Sequence, residues 1–360
     1  MRVLVVNAGS STLKSSMVDG DDTVLGSETI ELVGGAWDPV AVRGFLDRFP
    51  SPDAVGHRVV HGGREFVSPV LLDPTVVGRL EELTPLAPLH QPKALSGIAA
   101  ISEALPGVPQ VACFDTAFHA SLPAEAFTYA VPVEWRERFG VRRYGFHGLS
   151  HAYVSGVAAE RTGGRRIVTA HLGAGASLAA VLEGRCVDTT MGFTPLEGLV
   201  MATRSGSVDP GMVLWLQRQG GLDADEVAEG LERGGGLTGL AGTADMREVM
   251  AGVSRGEEAA VLALGVYVHR LRASVAAMAA AMGGLDVLVF TAGVGERSAP
   301  VRWAVAEGLG FLGVAVDRVA NEGVDGEADV TGAGASVRTL VVPTREDVQI
   351  ARGAREVMGG

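Results

Sequence analysis

Residues 3–13 and 167–178 carry one pattern at two places about half a chain apart: an apolar run enters a glycine-rich turn and emerges into a second apolar run. The first reads Val3-Leu4-Val5-Val6-Asn7-Ala8-Gly9-Ser10-Ser11-Thr12-Leu13. The second reads Ile167-Val168-Thr169-Ala170-His171-Leu172-Gly173-Ala174-Gly175-Ala176-Ser177-Leu178. They align to within one inserted residue, with Asn7 opposite His171 and Gly9 opposite Gly173, and both end near an acidic residue and glycine, Asp19-Gly20 and Glu183-Gly184. Each unit predicts a β-hairpin with a glycine turn, and the pair predicts a duplicated domain whose loops face each other across a central cleft. At 360 residues the chain is long enough for two such domains.

The first turn is suited to phosphate. Glycine lets the backbone approach an anion, the hydroxyls of Ser10 and Thr12 can donate to phosphate oxygens or hold a magnesium-bound water, and Lys14 supplies a point charge. Lys14 is one of two lysines beside twenty-eight arginines, so its place next to this loop is not generic surface charge. A third unit, Val287-Leu288-Val289-Phe290-Thr291-Ala292-Gly293-Val294-Gly295-Glu296, is a buried strand opening into a Gly-x-Gly turn and a helix expected over 300–309. Such a turn can receive the phosphate or sugar of a nucleotide. It lacks the third glycine of a dinucleotide fingerprint, and no GxxxxGK[ST] occurs, which excludes a P-loop reading. Helices expected over 213–218 and 257–281 alternate with these strands, as in an α/β protein.

A net charge of −12 argues against nucleic acid or an anionic membrane as the main partner. Val3–Val6 is too short for a signal core and runs at once into polar residues, and the longest apolar stretch, 261–282, is broken by His269, Arg270 and Arg272. The expectation is a cytoplasmic protein with no membrane span. Cys113 and Cys186 have no CxxC spacing and read as buried free thiols.

Seven of the eight histidines fall between His57 and His171, as a cleft lined from several loops would require. His147 and His151 have the i, i+4 spacing of a zinc pair. Gly148 between them weakens the helix, no HExxH acid is present and no third ligand is near. His147 reads better as a hydrogen-bond donor at a helix mouth, and His151 as a structural histidine. Arg58 and Arg204 lie in glycine- or hydroxyl-bearing loops, where a planar fork can hold a carboxylate or a transferring phosphoryl group. Asp115 follows the apolar run Val111-Ala112-Cys113-Phe114, and an ionisable group in that setting requires a partner.

Taken together, the segments 7–14, 56–63, 114–119, 144–151, 188–210 and 290–296 resemble the acetate kinase family over nearly the whole chain. The resemblance implies a duplicated actin-like, sugar-kinase-like (ribonuclease H-like) α/β fold of two domains, 1–119 plus 347–360 and 120–346. It implies ATP- and magnesium-dependent phosphorylation of acetate to acetyl phosphate and ADP by in-line displacement, with manganese as an alternative ion, in a homodimer. By matching position, Asn7 and Glu346 would organise the metal, Lys14 the phosphates and Arg58 the acetate carboxylate. His147 and Arg204 would stabilise the transferring phosphoryl. Val60, Leu89, Phe146 and Pro195 would wall the acetyl methyl. His171, Leu172, Gly173, Ala174, Gly175, Asp245, Met246, Arg247, Gly293, Val294, Gly295, Glu296 and Arg297 would receive the nucleotide. Asp115 is the residue that the family labels acid/base. A carboxylic acid of pKa roughly 4–5 is already ionised at neutral pH, so Asp115 makes more sense as an organiser of magnesium or water than as a proton acceptor.

Several positions depart from the family pattern. Ala174 and Arg345 stand where asparagines are usual, Arg297 also replaces an asparagine, Asp347 a glutamate, Gln91 an asparagine and Ser207 an aspartate, and Arg64 follows His-Gly-Gly where an acid is common. Drift is one account; an altered phosphoryl donor such as pyrophosphate is the other. Propionate is the near rival to acetate, and a degenerate nucleotide-binding regulator the rival from a different class. Retention of Asn7, Lys14, Arg58, Asp115, His147, Arg204 and Glu346 argues against degeneration.

Overall fold

A computed structural model describes residues 1–8, 12–33, 36–37, 43–44, 46–49, 51–88 and 90–359. The chain forms two compact units: Met1–Ala120 with Phe146–Tyr153 and Arg345–Gly360, and Ser121–Gly145 with Val154–Thr344.

The first unit is built on the strands β1 (Val3–Ala8), β2 (Thr12–Val18), β3 (Val24–Val33), β4 (Ala36–Trp37), β5 (Ala54–Val59), β6 (Val70–Leu71) and β7 (Gln110–Phe114), in the order β4-β3-β2-β1-β5-β7-β6. β1 pairs antiparallel with β2 and parallel with β5, and β5 pairs parallel with β7. The second unit uses β8 (Arg166–Leu172), β9 (Ala176–Leu182), β10 (Arg185–Thr189), β11 (Val287–Thr291), β12 (Ala328–Asp329) and β13 (Arg338–Val341), in the order β10-β9-β8-β11-β13-β12. Hairpin, third antiparallel strand, two parallel strands and a short antiparallel edge recur in the same sequence. The duplication expected from the two glycine hairpins is therefore present at the level of whole sheets.

Strand pleating sorts the first sheet into two faces. Val3, Val5, Val18, Val111 and Cys113 pack with Leu149 and with Ile350, Ala351 and Ala354 of the Glu346–Met358 helix. Leu4, Val6, Leu13, Met17 and Val55 pack on the other face around Ile101 of the Gln91–Ala104 helix. Gly56 allows the first helix to close on the sheet: a Cβ there would lie 2.5 Å from Ile350 Cγ2. In the second unit the Glu258–Ala281 helix buries Ala263, Leu271, Val275 and Ala279 and packs on β8, β9 and β10. Among the described residues it is the one helix whose length and mean hydropathy would suffice to cross a membrane.

Cys113 and Cys186 are buried free thiols, as expected, and burial pushes Cys113 up to about 12, where it is inert. Burial pushes three histidines of the first unit down to about 4: His57, despite its 2.6 Å bond to Gln110, His61, and His119, despite its bond to the Phe146 carbonyl. The unfolded chain takes up these protons near pH ~6.5 while the fold excludes them, so stability is complete above that pH and is lost as pH falls toward about 4. Each histidine contributes at most about 3 kcal/mol to this loss. Calorimetric melting temperature should fall steeply through the window, and a flat profile would show that these rings take up protons without unfolding.

Candidate active site

The sheet face that packs on the Glu346–Met358 helix is apolar along its length and turns polar at one end. Asn7 is the penultimate residue of β1, Arg58, expected in a glycine-bearing loop, is instead the penultimate residue of β5, and Asp115 follows β7, all at the carboxyl ends of parallel strands. Ligands collect at such edges in α/β sheets. Lys14 is the register partner of Asn7 across the β1–β2 hairpin, so its exposed side chain shares that face.

Arg58 is the hub. Its Nε and Nη2 donate to the two Asp115 carboxylate oxygens at 3.0 and 2.6 Å, its Nη1 donates to Asn7 Oδ1 at 3.3 Å, and Nε lies 3.8 Å from Glu346 Oε2. Burial alone would disfavour the guanidinium charge, but Asp115 and Glu346 more than offset it and raise its pKa. The Asp115 side chain is 2% exposed and Arg58 21%, so the pair is held in a dry setting. One edge of the Arg58 fork, expected to hold a substrate carboxylate, is thus engaged by Asp115, which answers the partner that Asp115 required.

His147 has φ +56°, a left-handed conformation rare for a side chain of this size. Bonds on both sides hold it there. The His119 ring donates Nε2–H to the Phe146 carbonyl at 2.9 Å, and Gly148 N–H donates to the Asp115 carbonyl at 2.9 Å. A Cβ on Gly148 would lie 2.2 Å from that carbonyl oxygen, so glycine is needed for the helix mouth to dock. Strain anchored from both sides marks a residue placed for use. His151 is fully buried, one turn along the same helix, and its ring centroid is 6.5 Å from that of His147. No cluster of three His, Cys, Asp or Glu suited to a metal occurs among the described residues.

The second unit holds a cavity of about 740 Å³. Its wall includes Gly173, Ala174, Asp245, Met246, Arg247, Gly293, Val294 and Arg297 from the residues expected to meet a nucleotide. Leu237, Met250 and Tyr267 add apolar surface suited to a flat ring. Asp245 caps the Met246–Arg255 helix through Arg247 N–H at 2.8 Å, and its carboxylate also takes the Arg247 fork. Leu172 and Gly295 are buried, His171 is the penultimate residue of β8, opposite Ser177 of β9, and Gly175 sits in the β8–β9 turn where its carbonyl accepts from Gly173 N–H at 2.9 Å. The Gly-x-Gly segment, expected as a turn, lies in the short helix Ala292–Arg297, and Glu296 is committed there, with Oε1 accepting from Ala292 N–H at 2.8 Å and from Thr344 N–H at 3.0 Å.

Arg204 donates to the Pro195 carbonyl at 2.6 Å. Burial lowers its pKa and the Glu232 charge pulls the other way; among the described residues no carboxylate lies within ion-pair distance. Its charge is available to an anion. Val60 and Phe146 belong to the first unit and Pro195 to the second. Phe146 is fully buried, edge-on to His61 at 5.6 Å, and Val60 is half-buried. Thr12 opens β2, while Ser10 and Leu89 lie outside the described residues.

Three residues shape these sites in roles that the sequence does not state: His119, which tethers Phe146; Asp347, which neutralises Arg345 through Nε at 3.0 Å; and Arg302, which no sequence signal marks and which is buried against the carbonyls of Gly295 and Glu296.

The family model described as "Acetokinase family" matches residues 44–352. Acetate kinase of Clavibacter michiganensis subsp. michiganensis (strain NCPPB 382) is 47% identical over 99% of both chains, and acetate kinase of Thermotoga maritima 42% over 99% of both. Among solved structures, Porphyromonas gingivalis acetate kinase superposes with TM-score 0.91 at 39% identity over 99% of each chain. A propionate kinase from Francisella tularensis subsp. tularensis superposes with TM-score 0.92 at 34% identity, also over 99% of each. The α/β, two-domain fold expected from the sequence is the fold of these kinases.

Proposed function

The chain is a member of the acetokinase family and a phosphotransferase, and from that premise we propose that it transfers the γ-phosphoryl of ATP to acetate, giving acetyl phosphate and ADP. The observation that carries the reading is that each unit has a built site: an Arg58-centred polar edge in the first and an apolar, glycine-walled cavity in the second. In this reading the first unit serves acetate and the phosphates, the second serves the nucleoside and the contacts of a homodimer, and the enzyme works in the cytoplasm.

Acetate needs no general base, because its carboxylate is already the nucleophile. Two anions must instead be aligned and their charge offset. Arg58 orients the acetate carboxylate with the guanidinium edge that Asp115 leaves open. His147 donates a hydrogen bond to a phosphoryl oxygen, Arg204 supplies unneutralised positive charge, and Lys14 draws in the phosphate chain. Asp115 fixes Arg58 and accepts no proton from the substrate.

The donor set fits magnesium, with manganese as an alternative. Asn7 offers an amide oxygen and Glu346 a single carboxylate beside a positive Arg58, the sparse set of an ion that arrives with phosphates and keeps several waters. Bound there, magnesium would offset charge on the phosphate oxygens.

Acyl size is set by Val60 together with Phe146, Pro195 and Leu89. Val60→Ala should move the ratio of kcat/KM values toward propionate by up to about tenfold, the effect of one or two methyl groups. An unmoved ratio would place Val60 away from the acyl group.

Arg345 is neutralised by Asp347 and Arg64 belongs to the first unit, which leaves exposed Arg297 on the cavity wall as the departure that adds charge to the nucleotide site. ATP should therefore remain the working donor, with weak discrimination among nucleoside triphosphates because Ala174 supplies no amide. Initial rates of acetyl hydroxamate formation with ATP, GTP, CTP and pyrophosphate, at equal magnesium excess, test this. Pyrophosphate faster than ATP would overturn it.

A further inference from the structure

Arg302 is 1% exposed, yet its partners are all neutral carbonyl oxygens. It sits on the first turn of the Ala299–Glu307 helix. Nη1 donates to the carbonyls of Gly295 and Glu296 at 3.0 and 2.7 Å, Nε to Asn321 Oδ1 at 2.7 Å and Nη2 to the Asn321 carbonyl at 2.7 Å. Asn321, itself 2% exposed, donates Nδ2–H to the Ala299 carbonyl at 2.9 Å and completes the latch. Burying a guanidinium without a carboxylate is costly, and one apolar residue would fill the same volume at less cost. The cost is offset by what the fork reaches: the unpaired last-turn carbonyls of the six-residue Ala292–Arg297 helix.

That short helix forms one wall of the cavity through Gly293, Val294 and Arg297. It is strained, with Ala292 at φ +64°, and too short to persist alone. Glu296 fastens its first residue and Arg302 its last turn. We propose that Arg302, seated on Asn321, is a positioning residue for nucleotide recognition: it fixes Val294 and Arg297 against the nucleotide without touching it. The inference rests on the cavity being the nucleotide site.

Three full-length variants test it: Arg302→Lys keeps the charge and loses the fork, Arg302→Met loses both, and Asn321→Ala removes part of the seat from the opposite side. For Arg302→Lys, KM for ATP and the calorimetric Kd for ADP should rise about tenfold, and KM for acetate should change less than twofold. Asn321→Ala should show a smaller rise of the same kind, and Arg302→Met at least the rise of the lysine variant. A merely structural role would lower melting temperature or active fraction and leave both KM values alone. Unchanged ADP affinity in Arg302→Lys and Asn321→Ala, or equal rises in both KM values, would overturn the proposal. If Arg302→Met does not fold, the other two variants decide. Failure of the unaltered protein to bind ADP would instead reject the nucleotide reading itself.

Discussion

Arg58→Ala is expected to lower kcat/KM for acetate by about three orders of magnitude, mostly through KM, and to lower the melting temperature as well. The two losses have one source. Asp115 is 2% exposed and its carboxylate is met by both Nε and Nη2 of Arg58, so truncation removes two charged donors from a buried carboxylate. Breaking a pair of this kind costs about 3–5 kcal/mol. In the proposed reading the substrate carboxylate would lose the same guanidinium, and about 4 kcal/mol of binding corresponds to roughly 10³ in kcat/KM. Arg58→Lys separates the effects: it restores charge but not the fork, so stability should recover further than acetate affinity. Steady-state kinetics with acetate varied, beside thermal melting, measures both. An Arg58→Ala enzyme with unchanged KM for acetate would remove Arg58 from the substrate site and leave it a structural partner of Asp115.

His147→Asn and Arg204→Ala are each expected to lower kcat by about 10²–10³ with small changes in either KM, as when a donor to transition-state charge is removed. Asparagine is the informative replacement at His147, since it tolerates the left-handed backbone at φ +56° and confines the change to the ring. At Arg204 the charge has no carboxylate within ion-pair distance among the described residues, so its removal should perturb the fold little. Rapid-quench measurement of the transfer step would place the loss in chemistry. Full kcat in both variants would sink their assignment to the phosphoryl group.

Much of the architecture is legible in the sequence because it rests on local rules. Two apolar strands joined through a glycine turn form a hairpin wherever they occur, and the repeat at 3–13 and 167–178 predicts two sheets of one topology. The polar ends of two of those strands are legible too, as Asn7 and Asp115 each follow an apolar run that fixes which end of the sheet they occupy, whereas Arg58, expected in a glycine-bearing loop, lies inside β5 because Ala54–Val59 pairs between β1 and β7. Their mutual geometry is not. Arg58 and Asp115 are 57 residues apart, and that they pair with each other follows from β5 lying beside β7, a register that no local pattern encodes. The same holds for His119 on the Phe146 carbonyl and for Arg302 on Gly295 and Glu296: both side chains bond to backbone atoms, which every sequence has at every position. Arg345 and Asp347 look like two separate departures from a family pattern. They form one ion pair that leaves little net charge.

The central claim is that an acetate oxygen attacks phosphorus directly, and phosphorus-31 NMR of the reaction with oxygen-18-labelled acetate, ATP and magnesium tests it most directly. The account predicts acetyl phosphate and ADP in equal amounts, with one labelled oxygen on the new phosphoryl phosphorus, seen as an isotope shift. Release of AMP and pyrophosphate, an unlabelled phosphoryl group, or no acetyl phosphate at all would contradict it.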